Sequence, residues 1–145
     1  MFSSPLQPGK RPTVLGLYRN VSATTGVEGA SAHKLVSLLY HAVSGEIAAA
    51  RGALQRGDLL EKGRAIGHAV RILEEGLIAP LDMERGGAIA VNLRDLYQYM
   101  VYRLTMANLR NDDAALADCA GLARSLGDSW DAIAPQVEAP AQAAA

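Results

Sequence analysis

The chain has 145 residues, with 50% hydrophobic and 20% charged side chains. That length and balance suit one domain with a packed core and exclude an intrinsically disordered chain. A net charge of −1 leaves no basic field for nucleic acid or anionic lipid, so neither is an expected partner.

The single cysteine, Cys119, cannot form an internal disulfide, and no Cys/His spacing suits zinc, which points to a reducing compartment. The N-terminus lacks the uninterrupted apolar region of a secretory signal, and no apolar run has the length of a membrane span. A cytosolic protein without membrane insertion is the expectation.

In chain order, residues 1–13 carry Pro5, Pro8, Gly9 and Pro12 and read as the start of a flexible arm. A short apolar patch, Val14 to Tyr18, follows. Residues 20–29 are rich in Ser, Thr and Gly, so the patch is tethered to the body. Docking in a groove is its expected state, because exposed apolar patches invite association. The arm is thus assigned to residues 1–30, with an apolar cap segment at 14–18.

The first helix is predicted to begin near Ser31, as N-cap, with Leu35, Val36, Leu38, Leu39, Ala42, Val43, Ile47, Ala50 and Leu54 at helical spacing. Gly57 suits its C-terminal cap. Asp58 caps a second helix whose stripe contains Leu59, Ile66, Ala69, Val70, Leu73 and Leu77. Gly63 and Gly67 on that helix predict close approach of a neighbour, and Pro80 stops it.

A turn over residues 81–87 leads into a third helix of about 24 residues, or roughly 36 Å. Asp112 or Asp113 caps a fourth, carrying Leu116, Cys119, Ala120, Ala123, Leu126, Trp130 and Ile133. Residues 135–145 read as a disordered tail. No strand pattern is present. The expected fold is all-α: an antiparallel up-down four-helix bundle over residues 31–134.

The third helix is apolar on two sides. Ile89, Leu93, Leu96, Tyr97, Met100, Val101 and Leu104 form a core stripe. Val91, Tyr99, Tyr102, Met106 and Leu109 fall roughly opposite. An outer apolar face on a small bundle needs a partner or a second copy of the chain to cover it.

No catalytic constellation is legible. His33 is expected to be solvated near a helix start, and His41 and His68 to lie at the surface or boundary. None has the Glu-x-x-His spacing of di-iron bundles. His68, with Gly67 before it and Arg71 one turn on, permits an alternative as a phosphotransfer histidine, but the Lys/Arg-Gly pair usual after such a His is missing. Gly86-Gly87 reads as a tight turn needing positive φ. Cys119 reads as a buried, inert thiol and Trp130 as core. No catalytic, cofactor or metal site is expected, and the chain is not predicted to be an enzyme.

The combination Leu81-Asp82-Met83-Glu84-Arg85-Gly86-Gly87, Asn92-Leu93, Leu96-Tyr97-Gln98-Tyr99-Met100, Arg103-Leu104 and Ala107-Asn108-Leu109-Arg110-Asn111-Asp112 resembles the central signature of the flagellin-specific export chaperones, the FliS family. Leu15 and Tyr18 resemble that family's apolar-plus-tyrosine arm, residues 30–40 its first-helix motif, and Trp130 its late aromatic. The chain departs from the pattern with Ala32 where Pro is frequent and with His41-Ala42 after the first-helix Tyr.

The resemblance implies a cytosolic bundle that binds the disordered C-terminal segment of flagellin, prevents premature polymerisation and delivers its cargo to a component of the flagellar export gate. A homodimer of the free protein is the other way to cover the outer face. The implied partner-binding residues are Leu15 and Tyr18 on the arm and Tyr99, Tyr102 and Met106 on the outer stripe, with Leu96 and Tyr97 assigned to the core.

Overall fold

The computed structural model describes residues 14–18 and 29–133; the side chains of residues 14, 15 and 29–31 lie outside that description. Five α-helices are present among the described residues: α1 (Val14–Leu17), α2 (Gly29–Arg56), α3 (Leu59–Arg71), α4 (Met83–Arg110) and α5 (Asp113–Ala132). A π-helical segment, Ile72–Ile78, extends α3.

Local chemistry sets the boundaries. After α2, Gly57 takes φ 75°, which lets its N–H bond Leu54 O at 3.1 Å and the Asp58 N–H bond Ala53 O at 2.8 Å. That pair of bonds satisfies two carbonyls the helix end would otherwise leave open. The Asp58 side chain then accepts the Glu61 N–H, the Asp82 side chain those of Glu84 and Arg85, and the Asp112 side chain that of Ala115. Each carboxylate caps a helix start and lies at its positive end.

Asn111, left-handed at φ 54°, closes α4. The side chain of Lys62, only 5% exposed, donates from Nζ to Asn108 O at 2.9 Å and to Asn111 Oδ1. A buried cation is tolerable here because it meets the negative end of α4 with two of its three protons bonded.

The four long helices form a ring in chain order, and α5 packs back on α2. Cross-links show the antiparallel sense. Arg51 near the end of α2 makes a two-bonded pair with Asp113 at the start of α5, at 2.9 and 3.0 Å, while Ser37 near the start of α2 reaches Asp131 at the end of α5. Lys62 at the start of α3 meets the end of α4. The core runs along the axis. Val36, Tyr40, Val43, Ile47 and Ala50 on α2 face Ile66, Ala69 and Leu73, then Tyr97, Met100 and Leu104, then Leu116, Cys119 and Ala123. The bundle and the core residues Tyr97 and Trp130 agree with the sequence-based expectation.

Several boundaries and contacts differ from that expectation. The first helix begins at Gly29, so Ser31 lies inside it and is not its N-cap. The helix predicted after the 81–87 turn begins earlier, at Met83, and carries its break inside: Gly87 adopts φ 56°, ψ −137°, a conformation suited to glycine. Close approach does not occur at Gly63 or Gly67. A Cβ at Gly63 would meet only Asn108 Oδ1 at 3.9 Å, and one at Gly67 nothing within 4 Å. It occurs at Gly76, where a Cβ would come within 3.2 Å of Leu39 Cδ1, and at Gly86, where it would come within 2.9 Å of Leu17 Cδ2.

Leu38, Leu59 and Ile89, assigned to core stripes, are about half exposed. Leu59 opens α3, before the helix enters the bundle. Near Ile89, α1 packs against α4 with Leu17 at Gly86, and the buried residue beside Ile89 is Ala90.

Candidate functional site

Two places on the molecule draw attention, and both belong to α4. The first is the seat of α1. Leu17 packs into the space left by Gly86, and its carbonyl accepts the Asp82 N–H at 3.0 Å. Tyr18 follows and is 2% exposed. Its ring meets Trp130 edge to face, with centroids 5.5 Å apart and planes at 88°. Its hydroxyl hydrogen-bonds the hydroxyl of Tyr97, which also hydrogen-bonds that of Tyr40.

Tyrosine is acceptable in a core only when its O–H finds a partner, and here three phenols satisfy one another across α1, α2 and α4. Burial first, and then the neighbouring phenols, push the Tyr97 hydroxyl far above the usual phenol range. Burial also raises Tyr18 and Tyr40. All three are neutral across the physiological range.

Trp130 is fixed from its other side by His33. The rings stack at 4.6 Å, His33 Nε2 contacts Trp130 O at 2.9 Å, and Trp130 Nε1 donates to His33 O at 2.8 Å. His33 is therefore not solvated, as its place near a helix start suggests, but 4% exposed. With Nε2 facing a carbonyl oxygen, the ring serves as a donor there.

The second place is the outer stripe. Tyr99 is 47% and Tyr102 61% exposed, Leu109 is 72% exposed, and Met106 is half buried between them. Positions 99, 102, 106 and 109 recur at helical spacing and form one line. The bonds of Lys62 to Asn108 and Asn111 bring the first turn of α3 beside the last turn of α4, and there Leu59 and Leu60 are exposed as well, Leu60 at 87%. So many large apolar side chains exceed the scattered exposure of an ordinary surface and form a candidate interaction site.

The five sequence-predicted partner residues therefore do not make one site. Tyr99, Tyr102 and Met106 share the outer stripe. Tyr18 lies on the other side of α4, bonded into the core. The backbone of Leu15 is part of α1, while its side chain lies outside the described residues. Sequence reasoning missed Tyr40 as part of the arm's seat, and the exposure of Leu60 at the start of α3. The positions of Leu59 and Leu60, two adjacent leucines immediately after an N-cap, are a signal for the last, since one helix face cannot bury both.

The remaining candidates carry no reaction. His68 Nδ1 contacts Glu46, which also pairs with Arg64 at 3.1 Å. That bond and the adjacent guanidinium hold the Glu46 carboxyl below its usual range. The bond ties α3 to α2 and gives His68 a structural role that needs no phosphoryl chemistry. Burial pushes the Cys119 thiol up to about 11, the property of an inert core cysteine. Among the described residues no group of His, Cys, Asp and Glu could hold a metal ion, and no helix is long and apolar enough to cross a membrane.

Comparison with known proteins fits this picture of an interaction protein. A family model described as flagellar protein FliS matches residues 15–137. The chain is 41% identical over 119 residues to the flagellar secretion chaperone FliS of Salmonella typhimurium, covering 82% of this chain and 88% of that protein. It is also 41% identical over 116 residues to the flagellar secretion chaperone FliSB of Pseudomonas aeruginosa, covering 80% and 91%. Similarity reaches Bacillus subtilis FliS, at 26% over 113 residues, with 78% and 80% covered. A bundle without a catalytic constellation, carrying an exposed apolar stripe, thus matches proteins named as chaperones and not as enzymes: the chain belongs to the FliS family of flagellar secretion chaperones.

Proposed function

We propose that this chaperone acts in the bacterial cytosol, where it binds the disordered C-terminal segment of flagellin, prevents its premature polymerisation and delivers it to a component of the flagellar export gate. The observation that carries the proposal is the outer stripe of α4. A disordered segment that folds on binding must recover several kcal/mol of ordering cost, which requires a long and mainly apolar contact. An amphipathic helix laid along a line of Tyr99, Tyr102, Met106 and Leu109 meets that need.

The arm enters the same scheme as a competitor. Leu15, Leu17 and Tyr18 belong to a short helical segment seated against α4, and displacing it exposes the seat to a second part of the cargo.

Size-exclusion chromatography of the chain with and without purified flagellin tests binding, stoichiometry and the oligomeric state of the free protein together. A one-to-one complex is expected. A folded Tyr99→Ala, Tyr102→Ala double variant should lose capture of flagellin in a pull-down, and undiminished capture removes the outer stripe from the site. If the free chain elutes as a dimer that flagellin does not dissociate, the stripe is a self-interface instead.

A further inference from the structure

The seat of α1 is not uniformly apolar. Most of it is shaped for hydrocarbon: Gly86 and Ala90 receive Leu17, and Trp130 receives the ring edge of Tyr18. One polar point lies at its floor. Tyr97 Oη is fully buried and has one proton to donate and two lone pairs. Tyr40, from α2, takes one of its bonding directions from within the bundle. Tyr18, from the arm, takes a second. When the arm is displaced, Tyr40 stays and Tyr18 leaves.

The occupant then decides the fate of that second direction. An apolar side chain placed there covers a hydroxyl that has lost a partner, and sites built to bond a polar group discriminate strongly against ligands lacking one. A charged side chain fits no better. The surrounding cluster consists of phenols, an indole and an imidazole already engaged with Trp130 O, so a buried charge would meet no counter-charge.

Resting on the proposal that flagellin displaces the arm, we propose that Tyr97 Oη reads a neutral polar side chain on the incoming segment: a hydroxyl or an amide directly beside an aliphatic residue, in the places of Tyr18 and Leu17. Tyr97 is then a specificity-determining residue of the chaperone, and an entirely apolar helix is a poor ligand for the seat. The main-chain requirement is the same for any occupant, a carbonyl at the position of Leu17 O to accept the Asp82 N–H.

The test uses the full chain and a synthetic peptide of the flagellin C-terminal segment lacking tryptophan. Trp130 is the only tryptophan of the chain and touches Tyr18, so its emission reports arm displacement while calorimetry reports affinity. Each Ser, Thr, Asn, Gln and Tyr of the peptide is replaced singly by Ala, and the set is titrated into the wild-type chain and into Tyr97→Phe. One replacement should weaken binding to the wild-type chain about five- to tenfold, the range of one net hydrogen bond, and weaken binding to Tyr97→Phe less than twofold.

The wild-type arm of the scan decides the matter even if Tyr97→Phe does not fold. A scan in which no hydroxyl or amide matters by more than twofold overturns the proposal, and so does binding that leaves Trp130 emission unchanged. A peptide that binds without polar dependence overturns this inference alone, whereas an intact peptide that does not bind overturns the proposed function with it.

Discussion

The two sides of α4 use tyrosine for opposite purposes. On the inner side, Tyr97 is fully buried and its hydroxyl joins those of Tyr18 and Tyr40. On the outer side, Tyr99 and Tyr102, two and five residues further on, leave 47% and 61% of their surface in solvent. The residue type is constant; what differs is whether the ring is covered and the hydroxyl answered by protein. The inner tyrosines serve stability and hold the arm. The outer ones contribute little to the fold and leave a large, amphipathic surface free for a partner.

The most severe way to test this contrast is Tyr97→Ala. Deleting a fully buried aromatic should lower the unfolding free energy by about 3–5 kcal/mol in chemical denaturation. Loss of less than 1 kcal/mol would place Tyr97 outside the cooperative core.

Gly86→Val attacks the seat alone. Its Cβ would enter the space of Leu17 Cδ2 and Ala90 Cβ, so the expected cost is about 1–3 kcal/mol, with faster hydrogen exchange at the Asp82 amide that Leu17 O protects. Unchanged exchange there would mean that α1 stays seated.

Tyr18→Phe is gentler, at about 1 kcal/mol for one net hydrogen bond, and it carries a pH signature. The phenols of Tyr18, Tyr40 and Tyr97 titrate above their ordinary value when folded. Their contribution is complete below about pH 10, the unfolded phenol value, and is lost as the pH rises beyond it. Stability should fall above that point, and less steeply in Tyr18→Phe, which has one buried phenol fewer. Equal slopes for the two chains would uncouple the triad from alkaline unfolding. The smallest effect is expected for Tyr102→Ala, within about 0.5 kcal/mol of wild type. A larger loss would move Tyr102 from the partner surface into the fold.

Much of this contrast is legible in the helical period. The outer stripe follows from the spacing of Tyr99, Tyr102, Met106 and Leu109, and the capping carboxylates Asp58 and Asp112 follow from their places at helix starts. Periodicity fails where a tertiary neighbour decides. Nothing near His33 announces Trp130, 97 positions away, so a buried, stacked imidazole looks like a solvated one. Tyr18 carries no sign that Tyr97 will answer its hydroxyl. The helical wheel misplaces Ile89 because it assumes an unbroken helix, whereas α4 turns sharply at Gly87 and the short α1 packs against it at Gly86.

The distance in sequence between Tyr18 and Tyr97, 79 residues, also has a meaning in time. Successive helices of the bundle are joined by short connections, so most of its pairings close small loops and are expected to form early. The seat for Tyr18 exists only after Tyr40 on α2 and Tyr97 on α4 have come together. The arm, synthesised before the bundle helices, is therefore expected to dock last, after an interval in which the bundle is folded with its seat open. In a stopped-flow refolding experiment, this predicts a bundle-forming phase seen by circular dichroism, followed by a separate change in Trp130 emission that is absent when Tyr18 is replaced by alanine.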